Sequence, residues 1–471
     1  MKILKNIKLL CALLCIAALY SCDKYLDIQP VGKVIPRTAA EFRALLTQAY
    51  SYVPSDRGLA TFRSDEMTMD GTLAAEDLNS YKDIWIWNDV SPSENTTAFS
   101  WRSFYHTSFI ANYVIESKEM IEEGTVDEVN QMVGESYMLR AYMHFLLVNL
   151  FGEAYTNCDP ATTKAIPLKL NSDTEVTLSR NTVAEVYNSI LSDLAEAEKY
   201  LNVDQWDLGY NYRFNTLCVN AFRSRVYLYM GEWAKSLEAS QAVLQVNDQL
   251  VDMSSSTVLP NEYNSPENIL ALEQVMTAQY VRAAKVNTTL WKMYTSSDLR
   301  RSKYFNQVTV SNILVAKGGS NQYSCSFRVG EIYLNAAEAA LMTGESAMPA
   351  ARTYLLTLIK QRYKAAAYTE KETAINAMGR DELLQEIYDE RTRELAFEGH
   401  RFFDVRRWMI AETTENQQMH GYKITRSTNG IEKGEKVKVR KHTFREAMYF
   451  FPIPYKETVK SDDLLQNPYY E

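Results

Sequence analysis

The sequence predicts an all-α protein assembled from packed helix pairs, on three observations. Apolar residues recur at helical spacing over several long segments, a helix-start signature stands where one of them begins, and small residues fill a stripe where helices would meet. Val183 to Leu201 carries Val183, Tyr187, Ile190, Leu191 and Leu194 on one face, the spacing of a helix buried along one side. Thr182 precedes it with Glu185 three residues on, the pattern of a capping box that satisfies the first free N–H groups of a helix. Thr216 to Met230 places Leu217, Ala221, Ser224 and Leu228 on one face, a narrow stripe that lets a neighbouring helix approach closely.

The other elements follow in order. Ser100 to Met120 and Glu135 to Leu150, the latter ending at Gly152, read as helices. Thr216 to Met230, then Gly231-Glu232-Trp233 and a second helix to Val246 with Ala239 and Ala242, follows the helix–turn–helix plan of tetratricopeptide repeats. Glu331 to Leu341, Gly344 and Ala350 to Arg362 echo that plan. Glu135–Leu150 with Val183–Leu201 reads as a further copy, split by the segment from Gly152 to Asn181. Stacked pairs of this kind bury a continuous core and leave a curved face for a partner. Two regions have little helical period, 56–100 and 247–325, and long irregular segments inside a folded chain are usually functional loops. Phe444 to Pro454 is expected to hold one short strand, and Gln466-Asn467-Pro468 an extended end.

Residues 1–21 read as a leader. Lys2, Lys5 and Lys8 precede an apolar run from Ile7 to Leu19, which ends Leu19-Tyr20-Ser21-Cys22. The run is too short to span a bilayer as a mature helix. It fits a secretory signal, and a cysteine directly after the cut resembles a bacterial lipobox, which makes Cys22 the expected lipidated N-terminus. The mature region 22–471 is expected to form a single domain. The 46% apolar content supports a large core. The net charge of −9 becomes more negative once the leader lysines are gone, so no electrostatic affinity for nucleic acid is expected. Anchoring to a membrane would fall to lipid rather than charge. Outside the leader only Cys158, Cys218 and Cys325 remain; their spacing suits neither a disulfide framework nor a zinc motif, and they read as buried thiols.

Catalytic signatures are missing. His106, His144, His400, His420 and His442 include no pair at i, i+4. No Gly-x-Ser-x-Gly elbow or phosphate-cradling loop occurs, and carboxylate pairs in an acidic chain do not identify a glycosidase. No cofactor or metal is expected. Asp65-Glu66, Asp70 and Glu76-Asp77 form an acidic stretch without EF-hand spacing, which suits a solvated loop or polar contacts to a ligand better than Ca²⁺. The aromatic residues of the two irregular regions are the candidate ligand-binding set: Tyr81, Trp85 and Trp87 with Asp70 in the first, Tyr280, Trp291 and Tyr294 in the second. Trp85 and Trp87 share one face if their segment is extended. A flat ring stacks on the C–H face of a sugar while polar groups take its hydroxyls, and the same surface suits peptide side chains. Trp101 and Trp408 are assigned to the core.

Several separated segments resemble one family. They are Cys22-Asp23-Lys24-Tyr25-Leu26-Asp27 with Pro30; Leu45-Leu46 with Ala49-Tyr50; Trp101, Tyr105 and Asn112; Leu139-Arg140-Ala141-Tyr142 leading to Phe151-Gly152; Glu331 through Ala339; the run Glu390 through Trp408; Phe451-Pro452-Ile453-Pro454; and Gln466-Asn467-Pro468. Together, across essentially the whole mature chain, they look like the SusD/RagB family of nutrient-binding outer-membrane lipoproteins. The resemblance implies about four tetratricopeptide-like units decorated by loops, and no catalysis. It further implies a surface lipoprotein of a Bacteroidetes-type bacterium that sits as a lid on a SusC-like TonB-dependent transporter and delivers oligosaccharides to it. The chain is shorter than many glycan-binding members, which keeps peptides or another small nutrient open as ligands; a purely structural docking repeat is a further alternative. Glu390–Trp408 reads as structural, with Glu398–Arg401 and Asp404–Arg407 pairing along a helix over Phe397, Phe402, Phe403 and Trp408.

Overall fold

A computed structural model describes residues 35–89, 92–408 and 451; Cys22, the expected strand Phe444 to Pro454 apart from Phe451, His420, His442 and the Gln466-Asn467-Pro468 end lie outside them. Among the described residues, helices of eight residues or more are α1 Ala39–Ser51, α2 Ala75–Trp85, α3 Arg102–Glu116, α4 Val126–Phe151, α5 Val183–Tyr200, α6 Thr216–Met230, α7 Trp233–Val246, α8 Val329–Thr343, α9 Met348–Lys360, α10 Ala365–Ala377, α11 Arg380–Glu394 and α12 Arg401–Trp408. The packed pairs α4/α5, α6/α7 and α8/α9 are the three predicted repeats, and α1 packing on α3 makes a fourth. Each pair packs on the next, α3 on α4, α5 on α6 and α7 on α8, into one apolar core. This is a tetratricopeptide-like all-α fold. No described helix is long and apolar enough to cross a membrane.

Local chemistry sets the helix limits. The Thr182 hydroxyl accepts the Glu185 N–H at 3.2 Å, while the Glu185 carboxylate accepts the Thr182 N–H at 2.7 Å. Thr125 with Glu128 and Thr38 with Glu41 build the same device at α4 and α1. α6 ends on Gly231 at φ 73°, a left-handed turn that only glycine adopts freely, and α7 follows two residues later. α4 begins at Val126 rather than Glu135, since the Thr125–Glu128 capping box starts it there and Met132 and Val133 are already buried before Glu135.

The two irregular regions meet. β1 Met67–Thr68 from the first pairs with β3 Lys285–Val286 from the second. β5 Ile313–Val315 and β4 Phe305–Gln307 complete a four-stranded antiparallel sheet in the order β1-β3-β5-β4. β2 Asn268–Leu270 pairs with β6 Phe327–Arg328 separately. The expectation that 56–100 lacks helix is corrected by α2. It buries Asp77, Tyr81, Ile84 and Trp85, a helical stripe hidden in sequence because a carboxylate opens it.

Buried charge joins the loop regions to the last helices. Glu394 on α11 accepts from Arg300 at 2.8 Å, Arg328 at 2.7 Å and Arg362 at 2.9 Å. Arg328 and Arg362 also share Glu267, and Lys317 donates to Glu398 at 2.7 Å. Burial alone would raise the Glu394 carboxyl, but Arg362, Arg328 and Arg300 hold it well below the usual carboxylate range. Asp404 and Arg407 pair at 2.9 Å as expected. Glu398 does not pair with Arg401; it turns to Lys317 and Arg328, and Arg401 reaches Asp65 at 2.7 Å. Phe397 at φ 58° and Gly399 at φ 71° break the chain between α11 and α12, so Glu398 is off the helix that carries Arg401. Phe397, Phe402, Phe403 and Trp408 are buried, as is Trp101.

Candidate ligand groove

The aromatic residues singled out from the sequence lie in the core. Trp85 ends α2 and is 1% exposed, so the extended segment expected to align it with Trp87 is replaced by a helix and a turn. Trp87 follows at φ 61°, buried edge-on against Phe402 with the Arg63 guanidinium over its ring. Tyr81 stacks on Phe62 at 4.6 Å and meets Tyr280 edge-on at 5.7 Å. Trp291 and Tyr294 both pack on Phe305, and the Tyr294 hydroxyl donates to the Arg393 carbonyl at 2.7 Å. The fold therefore gathers the predicted set into two clusters, Tyr81 with Tyr280 and Trp291 with Tyr294, whose ring faces are covered by protein in this conformation. Asp70 is the partly exposed member; it receives the Thr72 N–H at 2.8 Å and the Lys285 ammonium at 2.7 Å. Cys158, Cys218 and Cys325 are free thiols. Burial pushes Cys158 up to about 11 and Cys218 up to about 12, so both stay protonated and unreactive at neutral pH.

Surface concavity points elsewhere. A groove of about 800 Å³ opens where four segments converge. The end of α1 and the turn after it supply Tyr50, Ser51 and Ser55; the α5–α6 connector supplies Asn211 and Tyr212; the chain after β2 supplies Glu273, Gln274 and Thr277; and the stretch before β6 supplies Asn321, Gln322 and Ser324. Tyr263, 37% exposed, completes the lining.

The walls are held from behind. The Tyr50 hydroxyl donates to Glu135 at 2.8 Å and accepts the Phe214 N–H at 3.2 Å. Its ring meets Tyr212 edge-on at 5.3 Å. The Arg213 guanidinium lies over Tyr210, Trp206 and Tyr212 at 4.7, 5.2 and 5.4 Å, which fixes that wall by cation–π attraction. The Asn211 amide donates to the Tyr263 carbonyl at 2.7 Å, and the Gln322 carbonyl accepts the Tyr263 N–H at 2.8 Å. The Ser55 hydroxyl lies 3.2 Å from the Tyr280 hydroxyl, so one predicted residue supports the groove from beneath.

Chemically, the groove offers ring faces, hydroxyls and amides. Glu273 is the one carboxylate among its described lining residues. Its Oε2 accepts from Arg57 at 3.0 Å and Ser326 at 2.9 Å, and from Tyr142, so that oxygen is buried and engaged, while Oε1 has no hydrogen-bond partner among the described residues. Gln274 and Asn321 make no side-chain hydrogen bond among the described residues, leaving their amides for a ligand. Tyr212 and Tyr263, which line the groove, are not among the residues singled out from the sequence. The signal for the first was the aromatic density of Trp206-Asp207-Leu208-Gly209-Tyr210-Asn211-Tyr212 inside a short connector.

Comparison with known proteins fits this architecture. Residues 237–470 match the family model described as SusD family, and residues 24–228 match one described as starch-binding associating with outer membrane. SusD-like protein P38 of Formosa agariphila is 27% identical over 52% of this chain, a match spanning 47% of that relative's length. SusD-like protein P2 of the same organism is 21% identical over 94% of this chain and 95% of its own. A SusD superfamily structure from Bacteroides thetaiotaomicron superposes with a TM-score of 0.70 at 21% identity, covering 92% of this chain and all of that one. A structure described as a laminarin binding SusD-like protein does so at 0.63 and 18% identity, covering 92% of this chain and 97% of its own. With two family models that together match residues 24–228 and 237–470, the chain belongs to the SusD/RagB family.

Proposed function

We propose that this chain is a non-catalytic, lipid-anchored receptor that captures oligosaccharides at the outer-membrane surface and delivers them to a SusC-like TonB-dependent transporter. The observation that carries the reading is the groove, where tyrosine faces stand beside uncommitted amides and hydroxyls. A sugar needs this pairing, a flat apolar surface for its C–H face and neutral polar partners for its rim. Chemistry on the ligand would need a second group to share acid–base work with Glu273, and none stands among the described lining residues. The starch-binding description of the family model and the laminarin-binding neighbour support a glycan as ligand. The leader ending at Cys22 supports a lipid anchor, with 22–471 as one mature domain. The contact residues of this reading are Tyr212, Tyr263, Gln274 and Asn321, in place of the buried Trp85, Trp87 and Trp291.

Calorimetric titration of the mature chain with plant, host and microbial oligosaccharides beside a mixed peptide library tests the capture step. Saturable binding to a glycan, weakened by Tyr212→Ala, is the expected result. Binding to peptides alone would replace the ligand class while leaving the groove as the site. Isolation of the chain from outer membranes, with or without a co-purifying transporter, tests the delivery step.

A further inference from the structure

The groove's charge pattern narrows the ligand class. Among its described lining residues none is Lys, Arg or His. The cation beside it, Arg213, is half-buried, lies over the rings of Trp206, Tyr210 and Tyr212, and donates its Nε–H to the Tyr212 hydroxyl at 3.2 Å. Arg57 lies behind the floor and is paired with Glu273. Two carboxylates stand at the groove and its edge: Glu273, and Glu262, which accepts from the lining Gln322 amide at 2.7 Å. The whole chain is also acidic, at −9. A carboxylate or sulfate entering this site would shed water with no cation among the described lining residues to replace it, and would approach like charge. Sites that select anions instead place Arg or Lys to make charge-assisted, often bidentate bonds.

We propose that the groove selects uncharged oligosaccharides and rejects those bearing uronate or sulfate groups. The inference rests on the capture reading above. The amides of Gln274 and Asn321 serve each ligand hydroxyl as donor or acceptor without favouring either sign of charge. Selectivity then follows from the unanswered desolvation of an anion rather than from any clash of shape.

The test uses matched probes: neutral oligosaccharides, and the same oligosaccharides with their primary hydroxyls oxidised at C6 to carboxylates. The mature chain is titrated with both at low and moderate salt. Neutral ligands are expected to bind and the oxidised ones to bind more weakly, on the order of tenfold or beyond. Gln274→Lys and, independently, Asn321→Lys are expected to narrow that gap, most at low salt. Both positions lie outside the core, and a circular dichroism melt checks that each variant folds. Equal or tighter binding of the oxidised ligands by the parent chain would overturn the neutral-ligand inference and leave the capture reading standing. Failure of both probe sets to bind would overturn the capture reading and this inference with it.

Discussion

The charge lattice behind β6 and the groove beside α1 are both polar, and they differ in what their polar atoms have left to offer. In the lattice, Arg300, Arg328 and Arg362 converge on Glu394, and every one of these side chains is fully buried. In the groove, Gln274 and Asn321 hold uncommitted amides at the surface beside Tyr212 and Tyr263. The lattice comes from the most recognisable run of the sequence, and the groove from stretches with no motif. Residues that lock a shared architecture are constrained by many partners at once, whereas a ligand surface is left open by its neighbours. In this molecule the loudest motif belongs to the scaffold.

The sharpest way to break that contrast is to remove the hub. Glu394→Gln leaves three buried guanidinium groups short of a carboxylate and is expected to cost about 3–5 kcal/mol, read as a lower denaturant midpoint. Should the variant match the parent's stability, the lattice would be ornamental. Trp85→Ala comes next. Its ring is 1% exposed, so truncation is expected to destabilise by about 3–5 kcal/mol while leaving glycan affinity of the folded fraction unchanged. A selective loss of affinity without loss of stability would restore the sequence-based assignment of Trp85 to the binding surface.

A pH experiment separates two kinds of buried carboxylate. Burial works to raise Glu390, but Arg300 and Arg393 bring it down to about 2. Burial pushes Glu66 up to about 8, with the Phe397 N–H at 3.1 Å opposing too weakly to prevent it. The signs are opposite. Glu390 contributes stability above its unfolded value of about 4.3, lost as acid carries the pH down toward its folded one. Glu66 keeps its proton in the folded state while the unfolded chain has released it, so stability falls as pH climbs from about 4.3 toward 8. Glu66→Gln keeps the acceptor and removes the titration. It is expected to lose less stability than the parent between pH 5 and pH 8, by about 1–3 kcal/mol, measured by urea unfolding at each pH. Parallel profiles for the two proteins would show that Glu66 is ionised in the native state.

How far the sequence could be read follows the same division. α5 was legible because one face is apolar and the other solvated, with the Thr182–Glu185 box at its start, and α6 was legible from its stripe of small residues although none of its residues is fully exposed. The second half of α11 was illegible as a periodic helix, since after Leu383, Leu384, Ile387 and Tyr388 it buries Glu390, Arg391, Arg393 and Glu394 and an apolar-periodicity reading counts those as exposed. α10 buries Ile375 alone and gives almost no stripe. The burial of the tryptophans was not legible because a ring in a polar stretch looks the same whether tertiary contacts cover it or not. Which rings end up covered depends on pairings such as Met67 with Val286, between residues far apart in the chain.

The smallest expected effect probes the groove itself. Tyr263 stands on a segment tied at both ends, by the Gln322 carbonyl to its N–H and by the Asn211 amide to its carbonyl, while the side chain itself projects 37% exposed. Tyr263→Ala removes a ring face without disturbing those backbone bonds, so stability should change by less than about 0.5 kcal/mol. One stacking face is worth about 1 kcal/mol, so the expected loss is roughly fivefold in Kd for whichever neutral oligosaccharide binds. Titration of parent and variant under identical salt reads it. An unchanged Kd would move the stacking surface off this wall and onto Tyr212 and Tyr210, whose ring faces Arg213 already holds in place.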